Sequence, residues 1–204
     1  MLVSSNARSS QGPRAHIIAY ADLPLRGFTL TEMAIVMAIV AILLAIAIPS
    51  YRNITTAYRI SSEFNGLVGD LQFARAEALK EGNAVTVCVS NDATRCSGGT
   101  NWAAGWIVFS DPNANAEVDA DAGERILRVQ NAFAGPNADT FTSAVVSSFT
   151  FNREGFTRTA VGLGNTSLVL ADASGLPTYT TCLSVSAVGM LTASNHVSSP
   201  ASCP

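Results

Sequence analysis

The chain has 204 residues, 48% of them hydrophobic and 13% charged, with a net charge of −3. An acidic balance is the opposite of what a nucleic-acid surface wants, because phosphate neutralisation supplies most of such affinity. The length leaves 153 positions after residue 51, enough for one modest domain and not two.

In chain order, residues 1–27 carry Arg8, Arg14 and Arg26 against the single acid Asp22. From Phe28 to Ile48 follow 21 residues in which Glu32 is the only charge. A helix of that length spans roughly 30 Å, the hydrocarbon thickness of a bilayer. The run is apolar on every face, unlike the buried helix of a soluble domain. It is also longer than the roughly 7–15 residues of a secretory signal's apolar region. A membrane-inserted helix is therefore expected, with the positive flank holding residues 1–27 in the cytoplasm and the remainder exported.

Glu32 is not explained by apolarity, since a carboxylate in a membrane helix is costly and marks a functional candidate. If the chain is cut after Gly27, Phe28 gains a positive amine and Glu32 sits four residues on, on the same helix face. Its charge also offsets the positive end of the helix dipole. In an assembly of such helices, Glu32 of one subunit could meet the terminal amine of the next.

Pro49 is expected to bend or loosen the helix rather than end it. Beyond it, Ile54, Tyr58, Phe64, Leu67, Val68, Leu71, Ala74 and Ala78 recur at helical spacing. They form an apolar stripe that needs a cover, and the helix should stop around Glu81-Gly82-Asn83. The period then changes to two. Residues 84–90, 105–110, 125–131, 145–152, 166–171 and 180–192 read as strands separated by Gly, Pro, Asn or Asp. Short connections imply antiparallel pairing, and the simplest arrangement lays the second half of the helix across one sheet in an α+β fold.

Cys88, Cys96, Cys182 and Cys203 all lie on the exported side, an even count that points to disulfides. Three pairings exist; spacing favours Cys88 with Cys96 in a short loop and Cys182 with Cys203 at the tail. After Phe28 the lone histidine is His196, and no nucleophile-base set can be assembled around it, so no enzyme is expected. The loop 111–124 offers Asp111, Asn113, Asn115, Glu117, Asp119, Asp121 and Glu124. It departs from the calcium-loop pattern at Ala116 and Ala122, and reads as a polar hairpin loop. No metal or other cofactor is expected.

The stretch "RGFTLTEMAIVMAIVAILLAIAIPSY" (26–51) resembles the class III signal of type IV pilins and type II secretion pseudopilins. The resemblance implies that a membrane prepilin peptidase cuts after Gly27 and methylates Phe28. It also implies that Glu32 is the family's assembly glutamate and that Pro49 is its helix-loosening proline. The 27-residue leader is longer than usual in the family. Further on, "NWAAGWIVFSDPN" (101–113), "RILRV" (125–129) and "FTFNREGFT" (149–157) resemble the GspH/FimT branch, which includes minor pseudopilins and FimT/FimU-type minor pilins.

The implied organisation is a leader over 1–27, a transmembrane half of the stalk helix over 28–51, an amphipathic half over 52–82 and an antiparallel β head over 83–204. The implied role is a minor pilin that joins or primes a type IV pilus, with the equivalent type II secretion pseudopilin as the alternative. It would cross the inner membrane once with its head in the periplasm before assembly, and its partners would be other minor and major pilins or pseudopilins. A third reading is DNA reception, known for some FimT-type pilins. From Phe28 on there are nine basic against fourteen acidic residues, a net of −5. Only a convergence of Arg125, Arg128, Arg153 and Arg158 could build a basic patch. The DNA-binding relatives carry a Gly-Arg-x-Arg element where this chain has Gly189-Met190-Leu191-Thr192, so DNA is not an expected partner.

Overall fold

The computed structural model describes residues 27–119, 123–133, 139–143, 145–159, 162, 165–195 and 203. The chain divides into two units, Met1–Ile46 and Ala47–Pro204. A single helix, α1 (Leu30–Glu81), begins in the first and ends in the second. Pro49 lies inside it. Having no N–H, it leaves the Ala45 carbonyl without its helical donor, yet the helix continues. It stops where Gly82 adopts φ 68°, its N–H donating to the Ala78 carbonyl at 3.0 Å. That left-handed residue is the common way to close a helix.

The chain then alternates short strands and turns: β1 (Val85–Val89), β2 (Gly105–Ser110), β3 (Ile126–Asn131), β4 (Thr140–Thr142) and β5 (Ser148–Phe151). After these come β6 (Thr157–Thr159), β7 (Thr166–Ala171), β8 (Thr180–Val185) and β9 (Leu191–Asn195). They form two antiparallel sheets, ordered β3-β2-β1-β5-β6 and β4-β7-β8-β9, not the one sheet expected. The segment 180–192, expected as one strand, is a hairpin. Gly189 takes φ 73° and donates to the Ser186 carbonyl at 2.8 Å, reversing the chain between β8 and β9. The three-residue strands β4 and β6 are too short to show a period of their own.

In the second unit one stripe of α1, Ile60, Phe64, Leu67, Leu71, Ala74 and Ala78, is buried against both sheets. The spacing of three and four residues keeps these side chains on one face. The expected stripe included Ile54 and Tyr58, which are 51% and 74% exposed. They lie below the level at which the sheets begin to cover the helix, and Ile60 takes the first core position instead. Opposite the stripe stand Val85, Val87 and Val89 of β1, Trp106 and Val108 of β2, Phe149 and Phe151 of β5, and Leu168 and Leu170 of β7.

The other face of the five-stranded sheet is also covered. Cys88, Ile107 and Phe109 form a small second cluster with Ala93, Cys96 and Val118 from the loops after β1 and β2. Cys88 is bonded to Cys96, which draws the first of these loops over the sheet, and Cys182 of β8 is bonded to Cys203.

Arg75 joins α1 to the β8–β9 turn. Its Nη1 donates to the Gly189 carbonyl at 2.8 Å and its Nη2 to the Val188 carbonyl at 3.1 Å. The turn 152–156 lies alongside, so a Cβ on Gly189 would meet the Gly155 carbonyl oxygen at 2.5 Å. Gly82 has a similar φ, but a Cβ there would meet nothing within 4 Å. Gly82→Ala should cost about 1 kcal/mol for its left-handed backbone. Gly189→Ala should cost about 2 kcal/mol more, because a backbone clash is added. Denaturant unfolding of the two variants checks this; equal losses would mean that the turn yields freely.

Candidate assembly surface

The first described residues are Gly27, Phe28 and Thr29, immediately ahead of α1. Thr29 caps the helix: its Oγ1 accepts from the Glu32 N–H at 3.2 Å, and its carbonyl accepts from the Met33 N–H at 3.2 Å. Thr-Leu-Thr-Glu has the spacing of a capping box, in which a hydroxyl and a carboxylate close the first turn from both sides. Glu32 thus sits in the first turn, where a negative charge offsets the helix dipole. Sequence reading assigned Glu32 to intersubunit pairing and missed the cap, although the S/T-x-x-E signal was there to find.

Every residue from Phe28 to Ile48 is exposed, among them Leu30 at 85% and Ile46 at 69%. The segment is long and apolar enough to cross a membrane by length and composition. An uncovered apolar surface of this extent requires lipid or other protein around it.

Charged side chains flanking the buried stripe grip the head element by element. The Arg59 guanidinium forks onto Asp139, at the entry to β4, through Nε at 2.5 Å and Nη2 at 2.7 Å. Asp70 accepts from the Trp106 indole at 2.9 Å and from Arg128 of β3 at 2.9 Å. Arg128 also lies 3.7 Å over the Phe73 ring. Glu81, in the last turn, pairs with Arg125. None of these partnerships was legible beforehand, because each joins residues dozens of positions apart.

The four arginines singled out as a possible basic patch do not converge. Arg125 and Arg128 belong to the β3 side of the five-stranded sheet and Arg158 to β6, its opposite edge. Arg125, Arg128 and Arg153 are each paired with an acid, Arg153 with Glu154 at 2.7 Å. At the β8–β9 turn, Val188 and Met190 are instead 51% and 62% exposed. Phe156 on the adjoining turn and Leu79 on α1 are also exposed, which gives this end of the head an apolar patch beside the exposed Arg153–Glu154 pair. A cavity of about 160 Å³ opens beside Arg75 between Leu71, Phe151 and Met190.

The acidic loop is organised by Asp111, which is fully buried. Its carboxylate accepts from the Thr86 hydroxyl at 2.6 Å and from the Asn115 and Ala116 N–H groups at 3.1 and 3.0 Å. Asp119 accepts from the Asn115 side chain at 2.8 Å, and its N–H donates to Glu124 at 2.8 Å. Burial pushes the Glu124 carboxyl up, and the charges of Asp111 and Asp119 add to it. Among the described residues, no group of three or more His, Cys, Asp or Glu is placed to hold a metal ion. Asp121 and His196 lie outside the described residues, as do Asp22 and the leader arginines Arg8, Arg14 and Arg26.

Comparison with known proteins bears on both ends of the chain. Residues 26–48 match the prokaryotic N-terminal methylation motif, and residues 63–189 match the family described as type II transport protein GspH. A "probable minor fimbrial protein" of Dichelobacter nodosus is 29% identical over 118 residues, 58% of this chain and 70% of that one. Two crystal forms of the Pseudomonas aeruginosa type IV minor pilin FimU share the fold at 20% identity. Their TM-scores are 0.55 and 0.52, covering 72% and 71% of this chain and 96% and 99% of theirs. With more than half of its length inside one family and the methylation motif ahead of it, the chain belongs to the GspH family of pilin-like proteins.

Proposed function

We propose that this protein is a minor pilin, cut by prepilin peptidase between Gly27 and Phe28, methylated on Phe28, and built into or needed to start a type IV pilus. The observation that carries the reading is the fully exposed apolar half of α1, introduced by the methylation motif and followed by a head with the fold of a minor pilin. Before assembly, the apolar half sits in the inner membrane with the head in the periplasm. In the filament it packs among other stalks, with Glu32 opposite a neighbour's terminal amine. The protein's work is structural, through contacts with other pilins, rather than catalytic. The exposed apolar patch at this end of the head, Leu79, Phe156, Val188 and Met190, supports a head-to-head contact with another pilin subunit.

A second reading, the equivalent minor pseudopilin of a type II secretion system, is favoured by the description of the matching family. Deleting the gene and scoring surface pili against secreted enzyme separates the two. DNA reception is not favoured, since the β8–β9 turn presents Val188 and Met190 rather than paired arginines.

Three outcomes test the main reading. Replacing Gly27 with a bulkier residue should leave a chain retaining its leader on immunoblots, and normal processing would sink the cleavage site. Glu32→Gln preserves the capping-box chemistry but removes the charge. It should be processed normally yet recovered poorly in sheared filaments, whereas full recovery would reduce Glu32 to a helix cap. Met190→Asp should lower incorporation several-fold while leaving the melting temperature within about 2 °C, as expected of an exposed substitution. Unchanged incorporation would remove that end of the head from the contact.

A further inference from the structure

Where Arg59 meets Asp139, a second carboxyl, Glu63, faces the same pair. Asp139 has a side chain 1% exposed and receives both guanidinium bonds. Glu63 lies one helical turn beyond Arg59, and its Oε2 is buried with no hydrogen-bond partner. Two carboxylates and one guanidinium leave one negative charge in excess. A buried carboxylate oxygen without a donor is costly. A proton on Glu63 removes both difficulties, because the neutral carboxyl carries a donor of its own and no longer repels Asp139.

The element fastened there is a seam. Asp139 leads into β4, the three-residue edge strand that pairs with β7. Thr142 bridges to Asn101 ahead of β2, and the Ser143 N–H donates to the Thr100 carbonyl at 3.1 Å, so β4 also touches the approach to the other sheet. Phe141, in its centre, is fully buried edge-on to Trp106 at 6.4 Å. Backbone pairing over three residues is a weak hold, which gives the side-chain attachment to α1 a large share of it.

We infer that Glu63, Asp139 and Arg59 form a proton-operated latch that holds β4 to the stalk helix when Glu63 is protonated and loosens it when Glu63 ionises. The charged groups acting on the cluster are Arg59 and Glu63 from α1, Asp139 from the entry to β4, and Asp172 from the loop after β7. Burial raises the Glu63 carboxyl to about 7, with the charge of Asp139 adding and Arg59 opposing. Because the folded value is raised, the latch is at full strength below the ordinary value of 4.5. It weakens as pH rises towards 7 and is fully loosened above that. The inference does not depend on which filament the protein joins.

The test is hydrogen exchange of the full-length chain in detergent, corrected for intrinsic rates, between pH 5 and pH 8. Wild-type protection of the β4 amides should fall by roughly tenfold relative to those of β1 as pH rises, a fraction of the full linkage because Glu63 is only partly buried. Glu63→Gln mimics the protonated form and should hold β4 at its acid-side protection throughout. A flat wild-type profile, or a Glu63→Gln profile identical to wild type, would overturn the latch. Should the variant fold poorly, the ¹³C-carboxyl NMR titration of Glu63 in the wild type decides alone. A midpoint between 6 and 8 supports the latch, and one near 4.5 refutes it.

Discussion

One stripe of side chains on one helix holds this head together. Ile60, Phe64, Leu67, Leu71, Ala74 and Ala78 are the fully covered part of α1, with Val68 and Phe73 partly buried beside them, and both sheets lean on it. The stripe is large at Ile60, Phe64, Leu67 and Leu71 and small at Ala74 and Ala78, towards the end of the helix. Without the stripe, the five-stranded and four-stranded sheets would keep only the contacts around β4, such as Phe141 against Trp106. The ion pairs along its margins contribute less energy, being partly exposed. With the Arg75 bonds to carbonyls, their part is to fix register: Arg59 to the entry of β4, Asp70 to β2 and β3, Arg75 to the β8–β9 turn, Glu81 to Arg125 just ahead of β3.

How much of this was readable in advance depended on distance along the chain. The apolar run, the switch from helical to alternating period near Gly82, and the strands 105–110 and 166–171 are written in local pattern, and the structure has them at those residues. The division into two sheets is not local. It follows from which strand edges meet, and no residue of β4 or β7 announces that pairing. The hairpin 180–195 was hidden by Val188 and Met190, whose apolar character continues the strand pattern straight through a turn. Only Gly189 marks the reversal, and its reason, the Gly155 carbonyl 2.5 Å from its missing Cβ, comes from another turn altogether.

The candidate site was legible in the same uneven way. The N-terminal motif lies within one stretch of sequence, so its residues could be named with their chemistry. The cluster Arg59, Glu63 and Asp139 could not, because Asp139 is one acid among fifteen until the fold brings it to the helix. The basic patch that the sequence left open does not form, for a topological reason: the strand order sends β3 and β6 to opposite edges, carrying their arginines apart.

The first disulfide makes part of the head's cover conditional on redox state. Cys88 and Cys182 are 1% and 0% exposed with both bonds formed. Cys96 is itself part of what covers Cys88, packing on the same small cluster. In a reducing compartment neither bond forms. The loop over β1 then stays untethered, and Ile107 and Phe109 on the far face of the five-stranded sheet lose the bond that holds their cover in place.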